Sequence, residues 1–204
     1  MTGNPIDQNS KNALIVNHYL EDESGKPTTK SIGKPLRIGG RVGAKIIVDP
    51  QDKQNEIPGY TVVKAQPITK YLTNHPIDPV SLYYTANEVH NITINEYDVN
   101  GDSDKPIQIS VPTGKTGTQL DLNDVNNLKI PEGYHKATAT ELKGHQQPTD
   151  PTYTASPQDV KVYVVGNRVK NAVTVHYYLM DETGKATTIP VSKDQTSDGQ
   201  VGQK

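Results

Sequence analysis

The chain has 204 residues, a formal charge of −2, and no cysteine, tryptophan or phenylalanine. The balance of 21 Lys+Arg against 23 Asp+Glu excludes a broad basic face for nucleic acid. No apolar run approaches the roughly 20 residues that span a bilayer, so we expect no membrane insertion. A hydrophobic fraction of 32% favours small aliphatic cores, with the eleven tyrosines at their margins, in two modest domains.

The first predicted element is a strand over residues 13–20. Its apolar residues alternate, which places four side chains on one face: Leu14, Val16, His18 and Leu20. The polar segment EDESGKP, residues 21–27, follows the strand and contains Gly25. This composition is typical of a hairpin turn, so the sequence predicts that a second strand returns beside the first.

Two short helices are predicted further along the chain. In VDPQDKQNEIPGY, residues 48–60, Asp49 is a suitable cap and Pro50 suits the first helical position. In LDLNDVNNLK, residues 120–129, three apolar residues recur at a spacing that predicts one helical face: Leu122, Val125 and Leu128. With the strands around them, these segments predict a small α+β sheet with a helix on one face.

The segment IPGY, residues 57–60, predicts a type II turn, because Pro58 suits its second position and Gly59 supplies a positive φ. The segments SLYYT, residues 81–85, and KVYVV, residues 161–165, predict the strands that close each sheet.

The sequence repeats itself at an offset of 159 residues. Residues 11–45 and 170–204 align without gaps and agree at 17 of 35 positions. A weaker half-period lies within this repeat, because ITINEYDVNGDSDKP (92–106) follows the plan of LIVNHYLEDESGKP (14–27). The sequence therefore predicts one module over residues 10–86, a second over 90–166, and the truncated start of the next repeat over 167–204.

Three motifs carry a resemblance to a known family. They are V-x-x-Y-L-x-D-E-x-G-K at 16–26 and 175–185, G-x-x-G at 40–43, 114–117 and 199–202, and the I-P-G-Y or I-P-E-G-Y turns. In their order and recurrence they resemble the mucin-binding repeats of lactic-acid bacterial surface proteins. The second module departs from the family pattern at its hairpin, where DVNGDSDKP is longer than EDESGKP.

The resemblance implies an α+β fold of two tandem β-grasp (ubiquitin-like) modules in an elongated array, plus the first hairpin of a third. It also implies an extracellular protein anchored to a Gram-positive cell wall. Residues 2–10 contain no signal peptide, so we expect the signal and the anchor to lie outside this segment.

The segment DVNGDSD, residues 98–104, is the strongest candidate for a metal site. It places side-chain oxygens at alternate positions, as calcium loops do: Asp98, Asn100, Asp102 and Asp104. The alternative is that the segment fills a hairpin position, where Asn, Gly and Asp serve the turn. If a metal binds, we expect it to be calcium held weakly, and we expect no other cofactor.

Tyrosines are the candidates for ligand contact, since exposed aromatic rings stack on sugars, and we name Tyr153, Tyr71 and Tyr84. Tyr153 lies in a Pro-rich polar loop, residues 146–159, which we expect at the surface. Tyr71 lies in a second such segment, residues 66–79. For tyrosines in strands, such as Tyr84, packing in the core is the competing interpretation.

The resemblance implies that the chain is an adhesin repeat that binds host mucin or another glycoprotein, as a monomeric unit within a tandem array. Binding would be weak per repeat and strong by multivalency. Two alternatives stay open: a passive stalk that presents a distal adhesive domain, and an immunoglobulin-binding module that uses a sheet edge. We expect no enzyme, because no nucleophile has His and Asp registered beside it.

Overall fold

The regular structure is almost entirely β. The computed structural model describes residues 3–63, 65–101 and 104–202. Within these residues the strands are β1 (Pro5–Ile6), β2 (Leu14–Glu21), β3 (Pro27–Ser31), β4 (Leu36–Ile38), β5 (Gly40–Arg41), β6 (Lys45–Val48), β7 (Tyr60–Val62), β8 (Ile68–Tyr71), β9 (Val80–Ala86), β10 (Glu88–Val89), β11 (Ile92–Asp98), β12 (Gln108–Ser110), β13 (Gly114–Lys115), β14 (Tyr134–Lys136), β15 (Gln158–Gly166), β16 (Arg168–Val175), β17 (Tyr178–Met180), β18 (Ala186–Pro190) and β19 (Gln195–Gln200).

The first predicted helix is reduced to a single 3-10 turn, Lys53–Asn55. Its cap is Asp52, whose carboxylate accepts the Gln54 backbone N–H at 3.3 Å. Asp49 instead accepts the N–H of Gln51 at 2.9 Å in a separate turn. The chain then becomes extended at Glu56, ahead of Ile57, whose backbone is kept out of the helical region by the proline that follows it.

The second predicted helix, over residues 120–129, is wrong. Asp121 and Asp124 each accept the backbone N–H two residues further on, at 2.8 and 2.9 Å. Such local side-chain bonds compete with the helical ladder, so the segment forms successive turns. Leu122 and Leu128 are buried, as the pattern predicted, but Val125 is 77% exposed. The fold is therefore mostly β rather than α+β.

The chain divides into two compact units. The first comprises the described parts of residues 1–89, 113–118 and 152–156, and the second comprises the described parts of 90–112, 119–151 and 157–204.

The main sheet of the first unit has the strand order β3-β2-β9-β7, with β4 also paired to β2. Strands β2 and β9 are parallel and lie at its centre, with Val16 opposite Val80 and His18 opposite Leu82. Three of the four predicted inward residues of β2 are buried, Leu14, Val16 and His18, while Leu20 is half-buried. Smaller ribbons pair β1 with β5, β6 with β8, and β10 with β13.

The main sheet of the second unit has the order β12-β11-β15-β14. Its central strands β11 and β15 are again parallel, with Ile94 opposite Val160 and Glu96 opposite Val162. Each sheet therefore pairs a hairpin, a parallel closing strand and an antiparallel strand in the same arrangement. This shared order agrees with the weaker half-period in the sequence.

Residues 168–200 form two ribbons, β16 with β19 and β17 with β18. Val173, Val175 and Tyr177 align with Leu14, Val16 and His18 at the 159-residue offset, yet they are 55%, 44% and 37% exposed. In the part of the chain that the structure describes, no strand pairs with β16 or β17 as β9 pairs with β2. None of the described segments forms a helix of the length and apolar character that a membrane span requires.

Candidate functional site

The D-E-x-G-K motif forms the same hairpin turn at two places in the chain, residues 22–26 and 181–185. The Asp22 carboxylate accepts the backbone N–H of Lys26 at 2.9 Å and the Ser24 hydroxyl at 2.7 Å. Asp181 accepts from Lys185 and Thr183 at the same two distances. These bonds favour the ionised carboxylate and so lower the pKa of both aspartates. The motif therefore maintains a turn, and it needs no ligand to explain it.

In two of the three copies of the G-x-x-G motif, the first glycine makes room for a large apolar side chain. Leu72 packs against Gly40, where an added Cβ would lie 2.8 Å from Leu72 Cδ1. Tyr153 packs in the same way against Gly114, where an added Cβ would overlap its ring. The second glycine completes the pattern, because the Gly43 N–H donates to Leu72 O and the Gly117 N–H to Tyr153 O, both at 2.8 Å.

Tyr153 is therefore not a surface residue, and the expectation that its loop exposes it is wrong. Its side chain is 3% exposed, and burial raises the pKa of its hydroxyl. The physical reason is a contact distant in sequence, because the side chain fills the space that Gly114 leaves. A ligand cannot stack on this ring without displacing it from its packed position.

Tyr84 is also a core residue. It is 1% exposed, and its hydroxyl donates to Asn55 O at 2.7 Å. Burial raises the pKa of Tyr84 to about 12. Its ring packs edge-on against the His18 ring, with 5.7 Å between the ring centroids. The packing interpretation therefore holds for this tyrosine.

Tyr71 is the one of the three candidates that lies at the surface, where it is 57% exposed. It lies in β8 directly opposite Lys45 of β6, and two residues further along the ribbon, on the same face, Thr69 lies opposite Ile47. Ile47 is itself 53% exposed. We call these four residues the Tyr71 surface. It combines a flat apolar ring with an ammonium and a hydroxyl group.

The candidate calcium residues are placed differently from one another. Asp98 is buried, and its carboxylate accepts the Asn100 backbone N–H at 2.9 Å. The Asn100 side-chain oxygen accepts a hydrogen bond from the Lys143 ammonium. Asp104 is exposed, and Asp102 lies outside the described residues. Among the residues that are described, no three His, Asp or Glu side chains form a group that could hold a metal.

A concave region of about 530 Å³ lies beside β14 in the second unit. The Lys136 ammonium donates to Leu122 O and to Asn123 Oδ1, both at 2.9 Å, so two of its hydrogen-bond donors already have partners in the groove wall. The exposed Val125 also lines the groove. Leu122, Leu128 and Ile130 complete its mostly apolar lining.

The two turns I-P-G-Y (57–60) and I-P-E-G-Y (130–134) each form a contact that the sequence patterns did not predict. The first junction consists of residues 59–61, 87, 116 and 117. The Asn87 N–H donates to Gly59 O at 3.0 Å, and Asn87 O accepts the Thr116 N–H at 2.9 Å. The Thr61 hydroxyl donates to Asn87 Oδ1 at 2.6 Å. The backbone of Asn87 thus joins the turn to the G-x-x-G segment, and the Thr61 hydroxyl holds the Asn87 side chain in place.

The second junction, residues 133–135, 167, 201 and 202, repeats this geometry. The Asn167 N–H donates to Gly133 O at 2.7 Å, and Asn167 O accepts the Val201 N–H at 3.1 Å. Here His135 takes the position of Thr61, with its Nδ1 at 2.7 Å from Asn167 Oδ1. The other nitrogen of His135 lies 3.2 Å from the Glu141 carboxylate.

The two junctions also share close packing at glycines. An added Cβ at Gly59 would lie 2.6 Å from the Thr116 side chain, and one at Gly133 would lie 3.1 Å from Val201. Both glycines have a positive φ, +84° at Gly59, as predicted, and +81° at Gly133. Asn-x-Val recurs at residues 87–89 and 167–169, but the same tripeptide also stands at 123–125 and 171–173, so it does not identify the junctions by itself.

Comparison with known proteins adds a structural neighbour. No protein-family model matches the chain, and no curated protein matches it. Among solved structures, the chain is similar to the crystal structure of Mub-RV, at 16% identity over 76% of this chain and 99% of that one. The TM-score is 0.24, and no residue role follows from a likeness of this size.

Proposed function

We propose that this chain is a repeat unit of a bacterial surface adhesin that binds host mucin glycoproteins. The observation that carries the proposal is repetition, since the same sheet order and the same junction each occur twice. Repetition multiplies a binding surface, so contacts that are weak singly give strong attachment when several engage together. The resemblance of the hairpin and glycine motifs to mucin-binding repeats supports the same proposal.

The Tyr71 surface is the part of the first unit that we propose contacts the glycan. The exposed ring of Tyr71 can stack on the apolar face of a sugar, while Lys45 and Thr69 offer hydrogen-bond donors beside it. A ribbon of two strands presents this surface without a deep cavity, which is consistent with weak binding by a single repeat. The site of action would be outside the cell, on a wall-anchored protein.

The test is binding of the whole chain to immobilised purified mucin, before and after glycosidase treatment of the mucin. The proposal predicts binding that is lost when the glycans are removed. Tyr71→Ala should weaken binding, because it removes the proposed stacking ring. Tyr178→Ala is the matched control, since Tyr178 is 46% exposed and lies outside the Tyr71 surface.

Two outcomes would count against the proposal at different levels. Equal loss of binding in Tyr71→Ala and Tyr178→Ala would reject the Tyr71 surface as the contact and leave the adhesin function standing. No binding by the chain, either alone or as a tandem fusion of several copies, would reject the adhesin function itself.

A passive stalk repeat is the second candidate, and the junctions favour it. Each junction fastens an I-P-G-Y or I-P-E-G-Y turn to a G-x-x-G segment through backbone bonds that involve no ligand. A chain whose purpose is length needs such contacts and needs no exposed aromatic ring. Absence of mucin binding together with intact junctions would therefore favour the stalk.

A further inference from the structure

A third set of residues has the same internal arrangement as the receiving side of the two junctions. The Val42 N–H donates to Asn4 O at 2.9 Å, as Thr116 does to Asn87 and Val201 does to Asn167. The strand registers also agree, since Ile6 pairs with Gly40, Val89 with Gly114, and Val169 with Gly199. The tripeptide Asn-x-Ile/Val opens all three segments, here as Asn4-Pro5-Ile6.

The difference lies in what covers the second glycine of each G-x-x-G motif. An added Cβ at Gly117 would lie 2.6 Å from the Tyr60 hydroxyl, and one at Gly202 would collide with the Tyr134 hydroxyl. An added Cβ at Gly43 would meet no heavy atom within 4 Å. Gly43 has the same backbone conformation as the other two, with φ of +86° against +83° and +80°.

This chain cannot supply the missing contact from its own two Gly-Tyr turns. The turn at Gly59 and Tyr60 is engaged in the first junction, and the turn at Gly133 and Tyr134 in the second. In the described residues, the surface formed by Asn4, Val42 and Gly43 therefore has the receiving geometry but carries no turn. We call it the Asn4 surface.

We infer that the Asn4 surface is a docking surface for the Gly-Tyr turn of another copy of this module. The two junctions define the chemistry of the partner. It is an Ile-Pro-Gly-Tyr or Ile-Pro-Glu-Gly-Tyr turn whose glycine carbonyl accepts the Asn4 N–H and whose tyrosine hydroxyl approaches Gly43. The next residue, threonine or histidine, bonds the Asn4 side-chain oxygen as Thr61 and His135 bond theirs.

The contact is heterologous, because the turn and its receiving surface are different parts of the module. A contact of this kind joins modules head to tail, in an open array or a ring, rather than forming a symmetric dimer. The inference concerns how modules join and does not depend on the binding of mucin.

The test is a fusion in which a further copy of residues 90–166 is placed directly before Asn4 of the chain, replacing residues 1–3. Gly166 of the added copy then precedes Asn4 as it precedes Asn167 in the native sequence. Amide hydrogen exchange is compared between the fusion and the original chain. Exchange at Asn4 should slow by about tenfold, because its N–H gains a partner, and exchange at Val42 should slow as well.

The matched control carries Tyr134→Ala and His135→Ala in the added copy only, which removes the two side chains that engage the Asn4 surface. This fusion should restore the fast exchange at Asn4. A second readout uses Gly43→Ala, which should perturb the fusion more than the original chain, because only the fusion has a tyrosine over Gly43. Equal exchange at Asn4 and Val42 with and without the added copy would overturn the inference.

Discussion

The two main sheets share one strand order but carry chemically opposite residues at one core position. His18 lies in β2 of the first sheet and Glu96 lies in β11 of the second, each two residues after a fully buried aliphatic residue. Burial lowers the pKa of His18. Burial raises the pKa of Glu96. Both shifts favour the neutral form, so the fold tolerates either residue.

The same difference gives the two sheets opposite responses to pH. A histidine with a lowered pKa in the folded state costs stability as pH falls below its unfolded value of 6.5. A glutamate with a raised pKa costs stability as pH rises above its unfolded value of 4.5. The first sheet should therefore weaken toward acid, while the second should weaken from acid toward neutral pH.

We expect the largest loss of stability from a substitution that disrupts packing at Gly114, and a smaller loss from the same substitution at Gly40. Gly114→Ala should lower the free energy of unfolding by about 3 kcal/mol, because the new methyl group overlaps the rigid Tyr153 ring. Gly40→Ala should cost about 1 kcal/mol, since the atom it meets is the flexible end of Leu72. Urea unfolding with tyrosine fluorescence and amide exchange gives both values.

Tyr153→Leu provides the control for this pair of substitutions. It makes the second motif resemble the first, so Gly114→Ala should cost less in the Tyr153→Leu background than in the native chain. Equal costs for the two glycine substitutions in the native chain would show that the contacts at Tyr153 and Leu72 are not different in kind.

The next effect concerns Glu96, whose carboxylate oxygens receive no hydrogen bond from any described residue. Glu96→Gln removes the titrating group and should raise the free energy of unfolding at pH 7 by about 1 kcal/mol. At pH 4 the folded-state Glu96 is neutral, as the substituted glutamine is, so the stability gained by the substitution should be smaller. Chemical denaturation at the two pH values measures it. A variant equally destabilised at both would contradict the assignment of the pH response to Glu96.

His18→Gln should act in the opposite direction on the first sheet, because burial lowers the pKa of His18. Relative to the native chain, the variant should gain under about 1 kcal/mol on going from pH 8 to pH 5. Amide exchange in β2 and β9 reports this change separately from the second sheet. An unchanged pH profile in those strands would remove His18 as the cause.

We expect the smallest changes in stability from the side-chain bonds of the two junctions. Thr61→Val removes the bond to Asn87 and should cost about 0.5 kcal/mol at any pH, since the site is exposed. At the second junction, hydrogen bonds from Thr138 and then from His135 lower the pKa of Glu141 to about 2. The stability that ionised Glu141 contributes should therefore be present above pH 4.5 and lost as pH falls toward 2. Exchange at Thr116 and Val201 distinguishes the two cases.

The sequence predicted features that depend on local pattern. The alternation in β2, the hairpin at Gly25 and the positive φ of Gly59 are all confirmed. The prediction of a helix over 120–129 was wrong, because Asp121 and Asp124 form turns that a three-residue apolar spacing does not reveal. The burial of Tyr153 could not be predicted from its Pro-rich loop, since it depends on Gly114, which lies 39 residues away in the sequence.

The most direct test of this account is amide hydrogen exchange of the native chain, resolved by residue, across pH 4 to 8. After correction for intrinsic exchange, protection in β2 and β9 should increase with pH, while protection in β11 and β15 should decrease. That result would establish two copies of one sheet whose stabilities are tuned in opposite directions by His18 and Glu96. Parallel pH profiles in the two sheets would contradict it.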